Sequence, residues 1–432
     1  MKYISRTLVL SGLCLAVSQV NAGGFDNNNR SFNLLYSDKD VIEMSYGHTS
    51  VPMEAKIEQA KNSGASGTIN SGDIVGRFER PQVGIKMQVQ DNLSCAAQYE
   101  RPYAASVEYS DDSLSYETDA DGTARAPIAT NYDSKSFTFA CGYDFALSTG
   151  SIKVFGGPKA QKISGSFSQD LSTNNLGETD NLSVDLKTDT EIGFIAGIAY
   201  SIPEIALRAS LLYHSQIDYD AYGTNTFMLP LGGANFETVT TSTKAKTFTP
   251  QALELAFQSG IASNTLAFLK LRWAEYSKLK TLESQSDESV VVQANGATLE
   301  QVIAMNPAAD GLVNPELDLF SNDTLDYSFG LGHKWNDQLS LGVSYAGGIK
   351  LGSKDDTIPL GADSKSLRLP GDDKHSLLVG GTYLITPEFK MNAGLGYTFI
   401  DSYTVQTESG NFRAEFDKTE STSVQVGLSY FM

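Results

Sequence analysis

The stretch at residues 368–399, RLPGDDKHSLLVGGTYLITPEFKMNAGLGYTF, decides the fold because two kinds of side chain alternate along it. Large apolar side chains occupy every second position over 377–385 and again over 389–399, except at Gly381 and Ala393, whereas the positions between them are mostly small or polar. A period of two predicts β-strands, and Thr386-Pro387-Glu388 predicts a turn between them. The stretch therefore predicts an antiparallel hairpin with one apolar face.

Such a hairpin fits two environments. A water-soluble sandwich buries the apolar face against a second sheet, whereas a transmembrane barrel turns it to lipid and keeps the polar face in a wet lumen. The mean hydropathy of -0.20 would suit a soluble protein, but the alternating strands of a barrel also give a low mean value. Beyond the N-terminus there is no run of about 18 apolar residues, which excludes membrane-spanning helices.

The first 22 residues have the features of a secretion signal. Lys2 and Arg6 precede an apolar run over 8–17, and Val20-Asn21-Ala22 provides a small-x-small cleavage site. Removal of these two cations takes the formal net charge from -19 to -21. Because phosphate binding needs a basic face, nucleic acid is not an expected partner.

Two cysteines, Cys95 and Cys141, remain after this segment, and both lie in predicted strands. A disulfide is chemically permitted outside the cytoplasm. Two separate cysteines facing lipid are equally compatible with the sequence, because the sequence gives no geometry for the pair.

The alternating pattern recurs nearly to the end of the chain and predicts about fourteen strands in one large architecture. Predicted strands include 205–219 and 266–279, and loops are expected after Phe167 and around Gly232-Gly233. One helix is predicted at 298–305, with Thr298 as its cap. Short turns are expected at 91–92, 148–150, 202–204, 259–264, 336–337 and 386–388.

Short turns at one end and long acidic connections at the other are typical of an outer-membrane barrel with periplasmic turns and extracellular loops. The predicted fold is therefore all-β, an antiparallel transmembrane β-barrel with a short N-terminal arm that acts as a plug. The expected division is a signal peptide at 1–22, the arm at 23–38 and the barrel at 39–432. The arm either folds into the lumen or is a frayed terminus. If it folds inward, Phe25, Phe32, Leu34 and Tyr36 either line an apolar path or pack together as a loop core.

Three segments resemble the FadL family of outer-membrane transporters of long-chain fatty acids and hydrocarbons. They are TDTEIGFIAGIAYSIPEIALRASLLYHSQIDYDAYG at 188–223, LRWAEYSKLK at 271–280 and LPGDDKHSLLVGGTY at 369–383. The resemblance implies a fourteen-stranded barrel that is blocked by an N-terminal plug, takes up hydrophobic molecules and releases them sideways through a gap in its wall.

The chain departs from the family pattern at three places. The segment before the first strand is short, with Asn27-Asn28-Asn29 where the family has an Asn-Pro-Ala element, and the Asn306-Pro307-Ala308 found later lies in a loop. The loop helices that form the family's first docking groove are not evident near 108–133 or 165–185. The chain ends in Met432 where an aromatic residue is usual, although Tyr430 and Met432 share the parity expected to face lipid.

Strand parity also names candidate site residues. If Leu207, Leu211 and Tyr213 face lipid, then Arg208, Ser210 and His214 face the lumen. The same argument places four further cations inside, namely Lys86, Lys270, Arg272 and Lys334. These cations either hold a fatty carboxylate through charge-assisted hydrogen bonds or pair with acids such as Glu43 and Asp218 to brace the wall.

The sequence gives little support to catalysis. The four histidines His48, His214, His333 and His375 are scattered, and there is no nucleophile elbow or metal-ligand spacing. No catalytic residue, metal or cofactor is therefore expected. The acidic pairs Asp111-Asp112 and Asp355-Asp356 either form solvated clusters or hold divalent cations together with lipopolysaccharide.

The sequence thus predicts a channel in the outer membrane of a Gram-negative cell for the passive uptake of hydrophobic molecules, foremost long-chain fatty acids. An open diffusion porin is the alternative, followed by a lipid-acting enzyme and an adhesive or structural barrel. The expected partners are outer-membrane lipid, lipopolysaccharide and the hydrophobic cargo, and the protein is expected to be a monomer.

Overall fold

The structure of the chain, a computed structural model, describes residues 32–59, 68–109, 123–173, 179–231, 236–279, 281–318, 322–351, 357–359, 373–406 and 412–432. The predicted signal segment and Phe25 lie outside the described residues. The described chain is mostly β-structure. Its strands are β1 Val41–Ser50, β2 Ala55–Gln59, β3 Thr68–Asn70, β4 Phe78–Gln90, β5 Leu93–Glu100, β6 Ala104–Glu108, β7 Thr123–Ala146, β8 Ser151–Thr173, β9 Thr179–Thr188, β10 Glu191–Ile202, β11 Leu207–His214, β12 Ile217–Pro230, β13 Phe236–Thr249, β14 Ala252–Ala262, β15 Thr265–Ala274, β16 Thr281–Ser286, β17 Glu316–Asp318, β18 Asp323–Lys334, β19 Leu339–Leu351, β20 Thr357–Pro359, β21 Lys374–Leu384, β22 Phe389–Ile400, β23 Tyr403–Gln406, β24 Phe412–Phe416 and β25 Thr419–Phe431.

Fourteen of these strands close into one antiparallel barrel. Each strand pairs with the next in the series β1, β4, β5, β7, β8, β10, β11, β14, β15, β18, β19, β21, β22 and β25. The last strand pairs back to the first, with Val41 opposite Phe431 and Ser50 opposite Thr422. Closure satisfies the hydrogen-bonding groups that an open sheet would leave at its edges. The prediction of about fourteen strands is confirmed.

The barrel turns its large apolar side chains outward. On β22, for example, Phe389, Leu395 and Phe399 are exposed, whereas Lys390 and Thr398 on the other face are buried. The same alternation on the neighbouring strands forms a continuous apolar belt, which a monomeric soluble protein would not leave in water. The belt identifies the barrel as transmembrane and rules out the soluble sandwich. Among the described residues, no helix has both the length and the apolar character that crossing a membrane requires.

Short connections lie together at one end of the barrel, the turn end. The hairpins turn within 91–92, 147–150, 203–206, 263–264, 335–338 and 385–388. Gly150 has a left-handed φ of 78°, which suits a residue without a side chain. The N–H of Met432 donates to the carbonyl of Asp40 at 3.0 Å, so the last strand closes beside the N-terminal arm. All six predicted turns occur in the structure, but the one predicted over 259–264 is confined to 263–264 because β14 continues to Ala262.

At the other end, the loop end, the chain builds two packed cores above the apolar belt. One core lies under the small sheet of β2, β3, β20, β23 and β24 and contains Phe78, Tyr109 and Phe416. The other packs α1 (Leu299–Met305) and α2 (Asp310–Val313) against β9, β12 and β13. The side chain of Thr298 caps α1 and forms a capping box with Gln301, as the sequence predicts.

Several predicted boundaries were wrong at the loop end. The strand predicted over 205–219 is two strands, because Ser215 closes the ladder with Phe194 and β12 then runs above the barrel. Asp218 therefore lies on that upper strand and not in the lumen. The stretches expected as loops after Phe167 and around Gly232-Gly233 include β8, β9, β12 and β13, while 232–235 itself lies outside the described residues. These segments form strands because they contain threonines and alternating apolar residues, which favour β-structure above the membrane as well as within it.

The strand predicted over 266–279 also ends early. β15 stops at Ala274, and a short 3-10 turn follows at Tyr276–Lys278. A carboxylate oxygen of Asp323 accepts the backbone N–H of Ser277 at 3.0 Å, which stabilises this turn in place of the ladder.

The two cysteines form a disulfide. Cys95 on β5 and Cys141 on β7 are register partners and are joined through their sulfurs. Cys141 shares the outward face of β7 with the exposed Phe139 and Tyr143. The disulfide alternative is therefore confirmed and the alternative of two separate cysteines is wrong, although the bridged pair is directed to lipid.

Candidate transport path through the barrel

The end of the N-terminal arm lies inside the lumen. Residues Asn33–Tyr36 form one 3-10 turn, and Phe32, Leu34 and Leu35 are almost completely buried. These side chains pack against inward-facing residues of the wall, namely Ala96, Ala140, Phe155, Ile195 and Leu212. The wall residue facing Leu34 is Gly84, and it must lack a side chain because a Cβ there would overlap Leu34. Three of the four arm residues proposed from the sequence therefore lie in the lumen, and Phe25 lies outside the described residues.

Tyr36 brings the arm against Arg208 on β11. The guanidinium carbon of Arg208 lies 4.2 Å from the centre of the Tyr36 ring, which is a cation–π contact. Its Nη2 donates to the side-chain oxygen of Gln258 at 2.9 Å. Burial raises the pKa of the Tyr36 phenol, with the hydrogen bond of Ser210 opposing the change, so the ring faces Arg208 as a neutral group.

The other predicted lumen cations lie at the walls with carboxylate neighbours. Lys270 lies 2.8 Å from Glu254, Arg272 lies 3.4 Å from Asp326, and Lys86 lies 3.5 Å from Asp40. Lys334 pairs with the turn residue Asp337 at 2.8 Å, far from the arm. His214 is buried at the loop end of β11. The structure thus brings Tyr36, Arg208, Lys270 and Arg272 to one wall formed by β11, β14 and β15, and leaves Lys334 apart.

Cations outnumber carboxylates on the inward face of the described barrel strands. The cations are Arg80, Lys86, Lys153, Lys159, Arg208, Lys270, Arg272, Lys334, Lys350, Lys374 and Lys390. The carboxylates are Glu43, Glu100, Asp144, Glu191, Glu254 and Asp326. The single carboxylate of Asp326 forms ion pairs with both Arg272 and Lys374, the latter at 3.7 Å. The lumen is therefore positive on balance, although the whole chain carries a formal charge of -19.

A small apolar cavity of about 70 Å³ lies above the lumen, between the extended β8, β9 and β12 and the loops that cover them. Its lining includes Ile163, Phe167, Leu186, Leu279, Leu282 and Leu317. The sequence did not predict this cavity. The alternating apolar residues on β9 indicate one apolar wall of the cavity. The opposite wall comes from residues 279–317, and their contact with β9 depends on tertiary structure that no local sequence pattern shows.

Neighbouring strands of the wall separate at a seam between β4 and β5. β4 and β5 pair as far as Gln82 and Glu100, and pairing resumes where the N–H of Gly76 donates to the carbonyl of Ser106 at 2.9 Å. Within the described chain, residues 77–81 and 101–105 share no ladder pairing across this seam. The Arg101 side chain crosses it, donating to the Glu79 carbonyl at 3.5 Å and pairing with Asp133. Side chains, and not a continuous backbone ladder, therefore close this part of the wall.

The histidines lie far apart on the wall. His333 Nδ1 lies 2.9 Å from the hydroxyl of Thr265, and His375 Nδ1 lies 2.8 Å from that of Tyr345. In the part of the chain that the structure describes, no group of three or more His, Cys, Asp or Glu side chains could hold a metal ion.

A closed barrel with an apolar belt, short turns at one end and an arm packed in its lumen defines an outer-membrane channel protein. The chain belongs to the outer membrane protein transport family (OMPP1/FadL/TodX), whose sequence model matches residues 16–430. Members of this family are transport channels for hydrophobic compounds. No curated protein sequence matches the chain significantly.

Solved structures with similar folds agree with this assignment. A FadL homologue of Pseudomonas aeruginosa has a TM-score of 0.67 at 13% identity, with 93% of each chain covered. The P. putida toluene transporter TodX has a TM-score of 0.59 at 13% identity, covering 93% of this chain and 92% of its own. The Ralstonia pickettii toluene transporter TbuX has a TM-score of 0.57 at 11% identity, covering 93% and 91%. At these identities the likeness shows the fold alone.

Proposed function

We propose that this channel passes long-chain fatty acids, or other slender amphiphiles that end in a carboxylate, by passive diffusion. The observation that carries the proposal is the setting of Arg208. Its guanidinium faces a neutral ring and a neutral amide, and among the described residues it makes no ion pair with a carboxylate. A guanidinium can bind a carboxylate through two parallel hydrogen bonds, so Arg208 suits the polar end of such a cargo.

The buried side chains of the arm favour a cargo with a long apolar chain. Burial of Phe32, Leu34 and Leu35 stabilises the docked arm by about 1.5–3 kcal/mol for each side chain. A cargo chain that takes their place gains about 0.8 kcal/mol for each buried CH₂, so roughly six to eleven methylenes would offset the loss. A long alkyl chain meets this requirement, whereas a single aromatic ring with its methyl group barely reaches it.

The size of the upper cavity also favours a chain over a ring. Its volume of about 70 Å³ is less than half of the roughly 150 Å³ of a cavity that is known to hold benzene. Without rearrangement, the cavity therefore admits a segment of alkyl chain but not a ring. TodX and TbuX are toluene transporters, and toluene, being neutral, would gain little from the positive lumen described above.

These features suggest an order of events. The alkyl chain enters through the cavity at the loop end, the carboxylate reaches Arg208, and the chain displaces the arm from the wall. The seam between 77–81 and 101–105 offers a side exit at the margin of the apolar belt. No step forms or breaks a covalent bond, so the cargo moves only down its own gradient.

Uptake of oleate and toluene by cells that lack other channels of this class tests the proposal. R208Q is expected to raise the oleate concentration for half-maximal uptake about tenfold, because a charge-assisted hydrogen bond contributes about 1.5–3 kcal/mol. Toluene uptake is expected to stay unchanged in this variant. K334Q is the matched control, since Lys334 has the same inward parity but pairs with Asp337 at the turn end.

Two results would contradict the proposal. Equal losses of oleate and toluene uptake in R208Q would assign Arg208 to the structure of the wall and not to a carboxylate. Uptake of toluene without any uptake of oleate by the unaltered protein would assign the channel to neutral aromatic cargo.

A further inference from the structure

Two lysines of like charge face each other on the outer surface of the barrel. Lys135 on β7 and Lys162 on β8 are register partners, and both side chains are exposed. Directly opposed residues on one face of an antiparallel pair have Cβ atoms about 5 Å apart, and like charges there are destabilising. Neither ammonium group makes an ion pair with any carboxylate that the structure describes. Neither lysine of the pair therefore has a carboxylate in direct contact within the described chain.

The level of this pair relative to the membrane is fixed by its neighbours. Phe137 lies two residues from Lys135 on the same outward face and is half exposed, with Phe139 and Val154 further into the apolar belt. Two residues of a strand rise about 7 Å. The lysine pair thus lies at the outer margin of the belt, where the phosphates of outer-leaflet lipids are located.

An open groove of about 620 Å³ begins immediately beyond the lysine pair, on the same outer face. Asp133 and Ser164, the next register partners away from the membrane, line it together with Ser166, Lys187 and Thr224. Its floor includes two glycines, Gly165 and Gly223, and its size is that of a site for a small molecule. The glycines leave space for a ligand, and the surrounding hydroxyl and amide side chains can form hydrogen bonds with the many hydroxyl groups of a sugar.

The charges along the groove are mixed but favour an anion near the lysines. Arg101 neutralises Asp133, and Lys187 lies 5.4 Å from the centre of the Tyr222 ring. The Tyr222 hydroxyl donates to Asp189 at 3.1 Å, and Asp189, two residues after the Ser164 partner Lys187, lies beside Lys162 on the side away from Lys135. Arg77 and Asp185 line the groove as well. Counting Lys135 and Lys162, this surface is positive in a molecule whose net charge is -19.

We infer that this face binds a phosphorylated glycolipid of the outer leaflet, with its phosphate between Lys135 and Lys162, its sugar in the groove and its acyl chains on the belt. The order of apolar belt, paired cations and hydroxyl-lined groove along one line of the wall matches the order of groups in lipopolysaccharide. The binding surface is on the outside of the barrel. Its groove borders the seam at Arg77, whereas Lys135 and Lys162 lie outside both the seam and the lumen.

Binding of lipid A to the full mature protein in nanodiscs tests the inference. The variant is K135Q/K162Q, and the matched control is K278Q/K418Q, which removes two exposed loop-end lysines that have carboxylate partners. Diphosphoryl lipid A is expected to bind the unaltered protein and the control with equal affinity, and K135Q/K162Q about tenfold more weakly. Without lipid A, K135Q/K162Q is expected to be at least as stable as the unaltered protein, since the repulsion is relieved.

Further arms separate the sources of the phosphate and the role of the channel. Lipid A that lacks phosphate is expected to bind the unaltered protein and K135Q/K162Q with equal affinity. Inorganic phosphate is expected to bind neither protein. Equal binding of diphosphoryl lipid A to both proteins, or saturable binding of inorganic phosphate that depends on the two lysines, would overturn the inference. Oleate uptake should be unaffected by K135Q/K162Q, so a failure here is distinct from a failure of the proposed function.

Discussion

Leu34 of the N-terminal arm lies against Gly84 of β4, at a point where the barrel wall carries no side chain. The neighbouring inward residues Lys86 and Gln82 are far larger, so the glycine leaves a recess for one leucine. A Cβ built on Gly84 would overlap the end of Leu34 and would lie 3.3 Å from the carbonyl of Ala97. The fit between arm and wall thus depends on an absent side chain at one position.

G84V is expected to weaken the docking of the arm. Overpacking of a filled core costs about 1–3 kcal/mol, and the end of Leu34 must move to make room for the added side chain. The urea midpoint of the barrel in lipid vesicles should fall, and protease should reach the arm more readily. Adding L34A to G84V should restore part of the midpoint, because it empties the recess. Equal midpoints for G84V and the unaltered protein would show that the arm does not dock at this position.

At the scale of elements, the pairing of β5 with β7 combines a covalent link and a seam. The disulfide of Cys95 and Cys141 joins the two strands near the turn end, and β5 leaves the ladder beyond Glu100. β6 then takes over the pairing with β7, beginning at Ala104 opposite Asp133. The disulfide therefore fixes one end of a strand whose other end borders the seam.

C95S/C141S is expected to lower the free energy of unfolding by roughly 2–4 kcal/mol, because the bond restricts a loop of 46 residues in the unfolded chain. Urea titrations with and without dithiothreitol measure this effect. Dithiothreitol should lower the midpoint of the unaltered protein and leave that of C95S/C141S unchanged. A reductant effect of equal size in both proteins would mean that the bond does not contribute to stability.

The elements also show what the sequence could predict. The six turns, the strand count and the face of each lumen cation follow from local alternation, because a strand has a strict period of two. The division between β11 and β12 does not, since both strands have the same period and only the contact of Ser215 with Phe194 separates them. The carboxylate partner of each cation could likewise not be predicted, because strand register depends on neighbours far along the chain.

At the scale of the whole molecule, the barrel separates two kinds of solvent. Its outer face carries an apolar belt, its lumen is polar and positive, and its loop end holds two packed cores over the opening. An open porin would leave a continuous aqueous path through such a barrel. Here the end of the arm packs in the lumen against Phe155 and Leu212, which places an apolar obstruction in that path.

Conductance of the full mature protein in a planar bilayer distinguishes these two types of channel. The unaltered protein is expected to show small or absent steady conductance that oleate perturbs, because an alkyl chain competes with the arm for the same apolar surface. Replacement of Phe32, Leu34 and Leu35 by serine should remove that surface, and should give a larger conductance that no longer responds to oleate. The matched control is a triple serine variant of the outward-facing Val83, Met87 and Val89, which changes the belt and leaves the arm intact. A large, steady conductance of the unaltered protein that oleate does not change would contradict the hydrophobic-cargo proposal and leave a diffusion porin.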